Sequence, residues 1–296
     1  NKALNNFKQA YKINKNFSKT LVNIGNVLSL KDKNSYAILA FQKALKNIDK
    51  KGEVLGNISI AYSRTKDLDN TVKYYQKAKK HKNNNPSSKL SLSYLYLYLN
   101  KYSEAWNLFN SRILTSKFLK NQKHEVINYI SKLNQNISKN DKLLVLREQG
   151  IGEEILFSSI YPDLIKFSEN VKIETSPRLI KIFERSFKKK IFFKEGEFSN
   201  NLVNLQKFDR VIFAGSLCKI FRKDKKDFHK KNFLYSDKNI DLLLNKYSFL
   251  KNKKIKVGIS WKSVVSIYGK LKSLDLGDFK ILFREDRQII NLQYGD

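Results

Sequence analysis

The sequence predicts two architectures in series, a helical solenoid followed by an open parallel α/β sheet, which places the chain in the class α + α/β. Two observations carry this expectation. The first is a ladder of residues with a 34-residue step: Ala3, Phe7 and Ala10 recur as Ala37, Phe41 and Ala44, again as Thr71, Tyr75 and Ala78, and a fourth time as Ala105 and Phe109. The second is a change of pattern near residue 141, where the ladder ends and short apolar runs begin to alternate with helical stretches.

A fixed step of a few tens of residues marks stacked supersecondary units, each burying its apolar face on the next. Residues 1–14 read as the second helix of one unit. Residues 17–30 and 34–48, 52–65 and 68–82, and 88–99 and 101–114 read as further helix pairs. Asn83-Asn84-Asn85-Pro86-Ser87-Ser88 between them is a loop or a helix start. Small residues at Ala10, Gly25, Ala44, Ser59, Ala78 and Ser93 let neighbouring helices approach closely. The aromatics Phe7, Phe41, Tyr75 and Phe109 fill the gaps between them, so they read as core and not as a cofactor site. Residues 115–140 read as one more helical stretch, including His124 to Leu133, ending in the polar linker Asn134 to Asp141.

Beyond the linker, Lys142-Leu143-Leu144-Val145-Leu146 is a short apolar run, read as a buried strand. A glycine-containing turn leads to one amphipathic helix from about Glu153 to Phe167. Val171–Glu174 is the next strand, and Pro177 opens a helix that ends near Phe187. Ile191–Phe193, Arg210–Phe213, Lys256–Trp261 and Gln288–Leu292 complete the strands. This alternation predicts an open parallel sheet over 141–296. The expected organisation is 1–114 repeats, 115–140 helical linker and 141–296 α/β domain.

Composition bounds the function. The chain has 296 residues, room for two domains, and its 41% hydrophobic content argues against disorder. Lys and Arg number 58 against 27 Asp and Glu, a net charge of +31. Residues 1–140 carry 26 basic and 7 acidic groups, and residues 141–296 carry 32 and 20, so the excess is spread out. Lys and Asn fill most polar positions, which is also what an AT-rich codon bias produces. Nucleic-acid binders cluster Arg and Lys on one face with aromatic platforms. Such interleaving is missing, and no nucleic-acid partner is expected. Charge alone still allows anionic sugars, nucleotides or a membrane surface. Cys218 is the single cysteine, which rules out an intrachain disulfide and suits a reducing compartment. With no apolar run of spanning length and no signal peptide, a cytoplasmic chain without a transmembrane segment is expected. The sequence has no Met and starts at Asn1, and it stops on the strand-like Ile289 to Asp296, so both ends read as cut.

The sharpest local feature is Arg147-Glu148-Gln149-Gly150-Ile151-Gly152-Glu153-Glu154-Ile155. It follows the first strand and opens a helix, the place where ligands bind in parallel sheets. Gly150 and Gly152 lack Cβ atoms, so a substrate can approach the backbone. The helix start offers free N–H groups. Glu153 or Glu154 there can act as a general base toward a hydroxyl, or simply complement the helix dipole; spacing alone leaves both readings open. Elsewhere the signals are bland. Cys218 lies in an apolar stretch without a His partner and reads as a buried structural thiol. His81, His124 and His229 read as isolated, Lys223–Lys231 as a solvated charge run, and no spacing suggests a metal site.

The 34-residue ladder resembles the tetratricopeptide repeat. Gln-Gly-Ile-Gly-Glu-Glu-Ile-Leu-Phe at 149–157, with Tyr161-Pro162-Asp163-Leu164, resembles the entry to bacterial tetratricopeptide-repeat glycosyltransferase-like proteins, which are related to heptosyltransferases and have the two-Rossmann-domain GT-B fold. Ile173-Glu174, Pro177-Arg178-Leu179, Gly215-Ser216-Leu217, Val257 to Trp261, Lys272-Ser273-Leu274 and Leu292 to Asp296 follow in the family's order. The resemblance implies a Rossmann-like half of a GT-B fold, with the second half absent. It also implies sugar transfer from a nucleotide donor to a protein or glycan acceptor presented on the concave face of the repeats. No cofactor is implied beyond that nucleotide-sugar substrate. The family's proposed base is an Asp at the position of Glu153; Glu is one methylene longer, and Glu154 is the alternate. Gln149, Gly150 and Gly152 are implied to line the substrate site. Trp261, Lys262 and Lys272 are implied to line the donor diphosphate, with Lys272 where the family carries Arg. The alternative is a non-catalytic interaction scaffold with a degenerate α/β domain.

Overall fold

A computed structural model describes residues 2–14, 17–81, 85–115, 129, 136–236, 240–263 and 273–293. Most of the helical stretch expected over 115–140, His124 included, lies outside the described residues. The chain forms two compact units, one ending at Tyr235 and the other beginning at Ser236.

The first unit opens with seven α-helices among the described residues: α1 (Lys2–Ile13), α2 (Ser18–Leu30), α3 (Asn34–Ala44), α4 (Lys51–Arg64), α5 (Leu68–Lys80), α6 (Pro86–Tyr98) and α7 (Tyr102–Phe109). Packing follows the ladder. Ala37, Ala44, Thr71 and Ala105 are fully buried, and so in practice are Phe41 and Phe109. Gly25 lies under the Phe41 ring so closely that any Cβ would overlap it. The turns repeat as well. Asp32, Lys66 and Asn100 end α2, α4 and α6 in the left-handed region with φ of 59°, 62° and 58°. The next amide bonds back five residues each time: Lys33 N–H to Leu28 O (2.9 Å), Asp67 to Tyr62 (3.1 Å) and Lys101 to Tyr96 (2.8 Å). This is the Schellman closure, which satisfies carbonyls that the helix end leaves open. Ser59 Oγ donates to Thr71 O at 2.9 Å, and 34 residues later Ser93 Oγ donates to Ala105 O at 2.8 Å.

The same unit continues into a four-stranded parallel sheet of β1 (Leu143–Leu146), β2 (Val171–Thr175), β3 (Phe192–Lys194) and β4 (Arg210–Phe213), in the order β3-β2-β1-β4. Leu143 sits opposite Val171 on one side and Arg210 on the other. All four residues of β1 are buried. Leu143 and Val145 join one apolar cluster with Trp106, Phe109, Phe157 and Phe183, whereas Leu144 and Leu146 join another with Ile113, Leu205 and Phe213. Apolar cover on both faces explains the unbroken Leu-Leu-Val-Leu run. Burying each such side chain contributes about 1.5–3 kcal/mol.

The connections are α8 (Ile151–Ser158), α9 (Tyr161–Phe167), α10 (Pro177–Phe187), α11 (Leu202–Leu205) and α12 (Cys218–Phe221). The single helix expected from Glu153 to Phe167 is two helices. Pro162 lies in the first turn of α9, where its missing N–H costs nothing, but it could not continue α8. The second unit holds α13 (Ile240–Lys246) and a parallel pair, β5 (Ile255–Ile259) with β6 (Arg287–Asn291). These two strands form their own sheet instead of extending the first, contrary to the expectation of one sheet over 141–296. In β5, Lys256 and Gly258 alternate with Ile255, Val257 and Ile259, so only one face of the strand carries apolar side chains. Among the described residues no helix is long and apolar enough to cross a membrane.

Candidate functional site

The strand order reverses between β1 and β4. In open parallel sheets the carboxyl ends of the strands at such a reversal border a crevice. Here those ends carry Arg147 to Gly152 after β1 and Ala214 to Leu217 after β4. Gln149 adopts φ 62°, a left-handed conformation that folds the chain back from β1 into α8. Gly150 precedes α8 in an extended conformation.

The carboxylates of this turn have three different environments. Glu153 is exposed, and its Oε2 accepts the Gly150 N–H at 3.2 Å. It is thus half of a capping box, with no partner side chain at Gly150 to complete it. Glu154 is buried. Its Oε2 accepts Thr175 Oγ1 at 2.7 Å and Ser176 N–H at 2.9 Å. Its Oε1 accepts no hydrogen bond, yet Arg147 Nη2 lies 2.8 Å away, so that contact is Coulombic with poor hydrogen-bond alignment. Arg147 also pairs with Glu195 and donates to Gln149 O. Glu148 is buried against Arg112, which reaches in from the end of the helical array. Arg112 Nε lies 2.6 Å from Oε2 and Nη2 lies 2.7 Å from Oε1. Arg112 Nη2 further donates to Ser216 Oγ (3.0 Å), and Glu148 Oε1 accepts Gly215 N–H (2.5 Å). This bidentate pair spans β1, β4 and the array, and a Cβ on Gly215 would stand 2.7 Å from the Glu148 carboxylate.

Of the expected site residues, Gln149, Gly150, Gly152, Glu153 and Glu154 lie together in this turn. Among the described residues, no atom beyond its own turn of helix lies within 4 Å of where a Gly152 Cβ would be. Trp261 and Lys262 belong to the second unit and follow β5, where the Gln293 side chain clasps them: its Oε1 accepts their N–H groups at 3.0 and 2.8 Å. Lys272 lies outside the described residues.

Sequence reasoning missed the Arg112–Glu148–Ser216 cluster. One signal was present in the ladder: the rung held by Ala10, Ala44 and Ala78 becomes Arg112 one step later, and Arg112 is buried. It also missed that His229, read as isolated, lies 3.1 Å from Asp163 Oδ1, while Arg222 Nη1 holds Asp163 Oδ2 at 2.8 Å. Cys218 is buried as expected, and burial, the largest influence, pushes its thiol up to about 12. Burial also raises Tyr161, with a smaller contribution from the Glu154 carboxylate. No model of a known protein family matches the chain, and no curated protein is found to match it.

Proposed function

We propose that the chain is a glycosyltransferase-like protein: a tetratricopeptide-type solenoid presents a protein or glycan acceptor to a Rossmann-like sheet of GT-B type. The observation that carries the reading is the exposed Glu153 carboxylate at the carboxyl end of β1, beside a glycine whose missing Cβ leaves open space. In this reading Glu153 takes the proton of the acceptor hydroxyl. The acceptor oxygen attacks the anomeric carbon of a nucleotide sugar, the bond to the diphosphate breaks, and the electron pair leaves on phosphate. The resemblance assigns the diphosphate to Trp261, Lys262 and Lys272, and lysine charge of that kind offsets a leaving phosphate. Glu154 and Glu148 are occupied by internal partners, which favours Glu153 over the alternate.

The test is turnover of a panel of nucleotide sugars by the chain and two variants. Glu153→Gln should reduce turnover at least about 100-fold if it is the base. Gly152→Ala should fold normally, because among the described residues its Cβ meets no atom outside its own helix turn, yet lower turnover by obstructing the substrate. Full activity in both variants would remove this turn from the reaction.

A second reading, a non-catalytic interaction scaffold, is favoured by the Arg112–Glu148 pair, which commits a carboxylate just after β1 to an internal partner instead of leaving it for ligand. Lack of turnover with every donor, together with retained partner binding in Glu153→Gln, would select it.

A further inference from the structure

A cleft of about 850 Å³ opens between α9, the carboxyl end of α10 and the segment 228–235. None of its lining residues comes from the turn after β1, so it is separate from the candidate site. The segment is pinned at both ends. His229 Nε2 meets Asp163 Oδ1 on α9 at 3.1 Å. Tyr235 N–H donates to Ser186 Oγ at 3.0 Å, and Tyr235 O accepts Arg185 Nε at 2.9 Å, both at the end of α10. Lys230 and Lys231 lie between the pins and line the cleft. The lysines of the run 223–231 are exposed, as a solvated charge run requires, and its last two also border this cleft.

Charge in this cleft is one-sided. Lys166, Arg222, Lys230 and Lys231 line it against the single carboxylate of Asp163. Arg222, 3% exposed, is already committed to Asp163 and to the carbonyls of Ser159 and Phe221 at 2.7 Å. Asp163 is thereby spent on Arg222 and His229. The three lysines make no hydrogen bond or ion pair with a described residue. The remaining wall is aromatic: Phe187, Phe228, Phe233 and Tyr235 all contribute. Cations that line a concave surface without a protein partner attract anions, and aromatic lining favours a ring that can stack. The volume suits a small-molecule ligand, which such sites enclose at about 300–1,000 Å³.

We propose that this cleft binds an organic phosphate with a flat ring, a mononucleotide in its simplest form. Lys166, Lys230 and Lys231 take the phosphate, and Phe187 and Phe233 take the ring. The assignment does not depend on the glycosyl-transfer reading, since no residue of the turn after β1 takes part.

Isothermal titration calorimetry of the full chain tests it, with adenosine monophosphate, uridine monophosphate, ribose 5-phosphate and inorganic phosphate as probes. The nucleotides should bind at least about tenfold more tightly than ribose 5-phosphate or phosphate, because stacking adds to the charge. The double variant K230E/K231E should weaken nucleotide binding about tenfold or more. K43E/K46E, the same charge change on exposed positions of the array, should alter it by less than about threefold. Circular dichroism would verify that both variants fold. The proposal is overturned if no nucleotide binds, if phosphate alone binds as well as the nucleotides, if K230E/K231E has no effect, or if both double variants weaken binding equally.

Discussion

The buried Arg112–Glu148 pair sets the largest single-residue effects expected in the chain. Removing one partner strands the other charge in the interior, a cost of about 3–5 kcal/mol, whereas replacing both with apolar side chains of similar size costs far less. Urea unfolding of Arg112→Met, Glu148→Leu and the double variant should show both singles strongly destabilised and the double much less so. A double near the sum of the singles would mean that the two side chains act independently. Cys218 gives a pH signature. Its thiol is held at about 12 against an ordinary 9.0, so the native chain binds that proton more tightly than the unfolded chain does. The stability from the neutral thiol is complete below pH 9 and is lost as pH rises toward about 12. The raised Tyr161 hydroxyl acts in the same direction. Urea midpoints measured between pH 8 and pH 11 should therefore fall more steeply for wild type than for Cys218→Ala. The placement of Glu153 in the first helical turn after β1 was legible in the sequence, because it depends on a local strand–glycine–helix pattern. Arg112 and Glu148, 36 residues apart, share no local pattern, and only the break in the alanine rung hinted at them.

At the scale of elements, the repeat geometry predicts which small changes matter. Gly25→Ala drives a methyl group into the buried Phe41 ring between α2 and α3, and should cost about 1–3 kcal/mol by thermal or urea unfolding. Lys188 closes α10 with φ 53° on an exposed position. Lys188→Gly should stabilise the protein by about 0.5–1 kcal/mol, the relief of a left-handed side chain less the entropy of glycine. The ladder made the helix pairs readable, because close helix contacts demand small residues at a fixed step. The central strand β1 was readable for a related reason: a strand covered on both faces carries an apolar run with no polar alternation. The break at Pro162 was missed because Ile155, Phe157, Ile160 and Leu164 keep an apolar periodicity through it. The pairing of β5 with β6 was missed because partner choice depends on which faces find cover, and that is settled outside either strand.

At the scale of the molecule, each compact unit holds one of the two tryptophans, Trp106 in the first and Trp261 in the second. Trp106 shares a buried cluster with Leu143, Val145 and Ile212 of the sheet. Array and sheet should therefore unfold together. In a Trp261→Phe variant, the urea midpoint from Trp106 fluorescence should coincide with that of far-ultraviolet circular dichroism at helical wavelengths. A Trp106 midpoint well below the dichroism midpoint would separate them. The bond from Trp106 Nε1 to the Arg222 carbonyl spans 116 residues of chain. A ribosome adding about 5–20 residues per second leaves roughly 6–23 s between the two. For that interval the last helix pair has emerged with its indole unmatched, long after the Arg112 guanidinium has met Glu148 36 residues on, so the indole is the group at the end of the array that a nascent chain must shield longest.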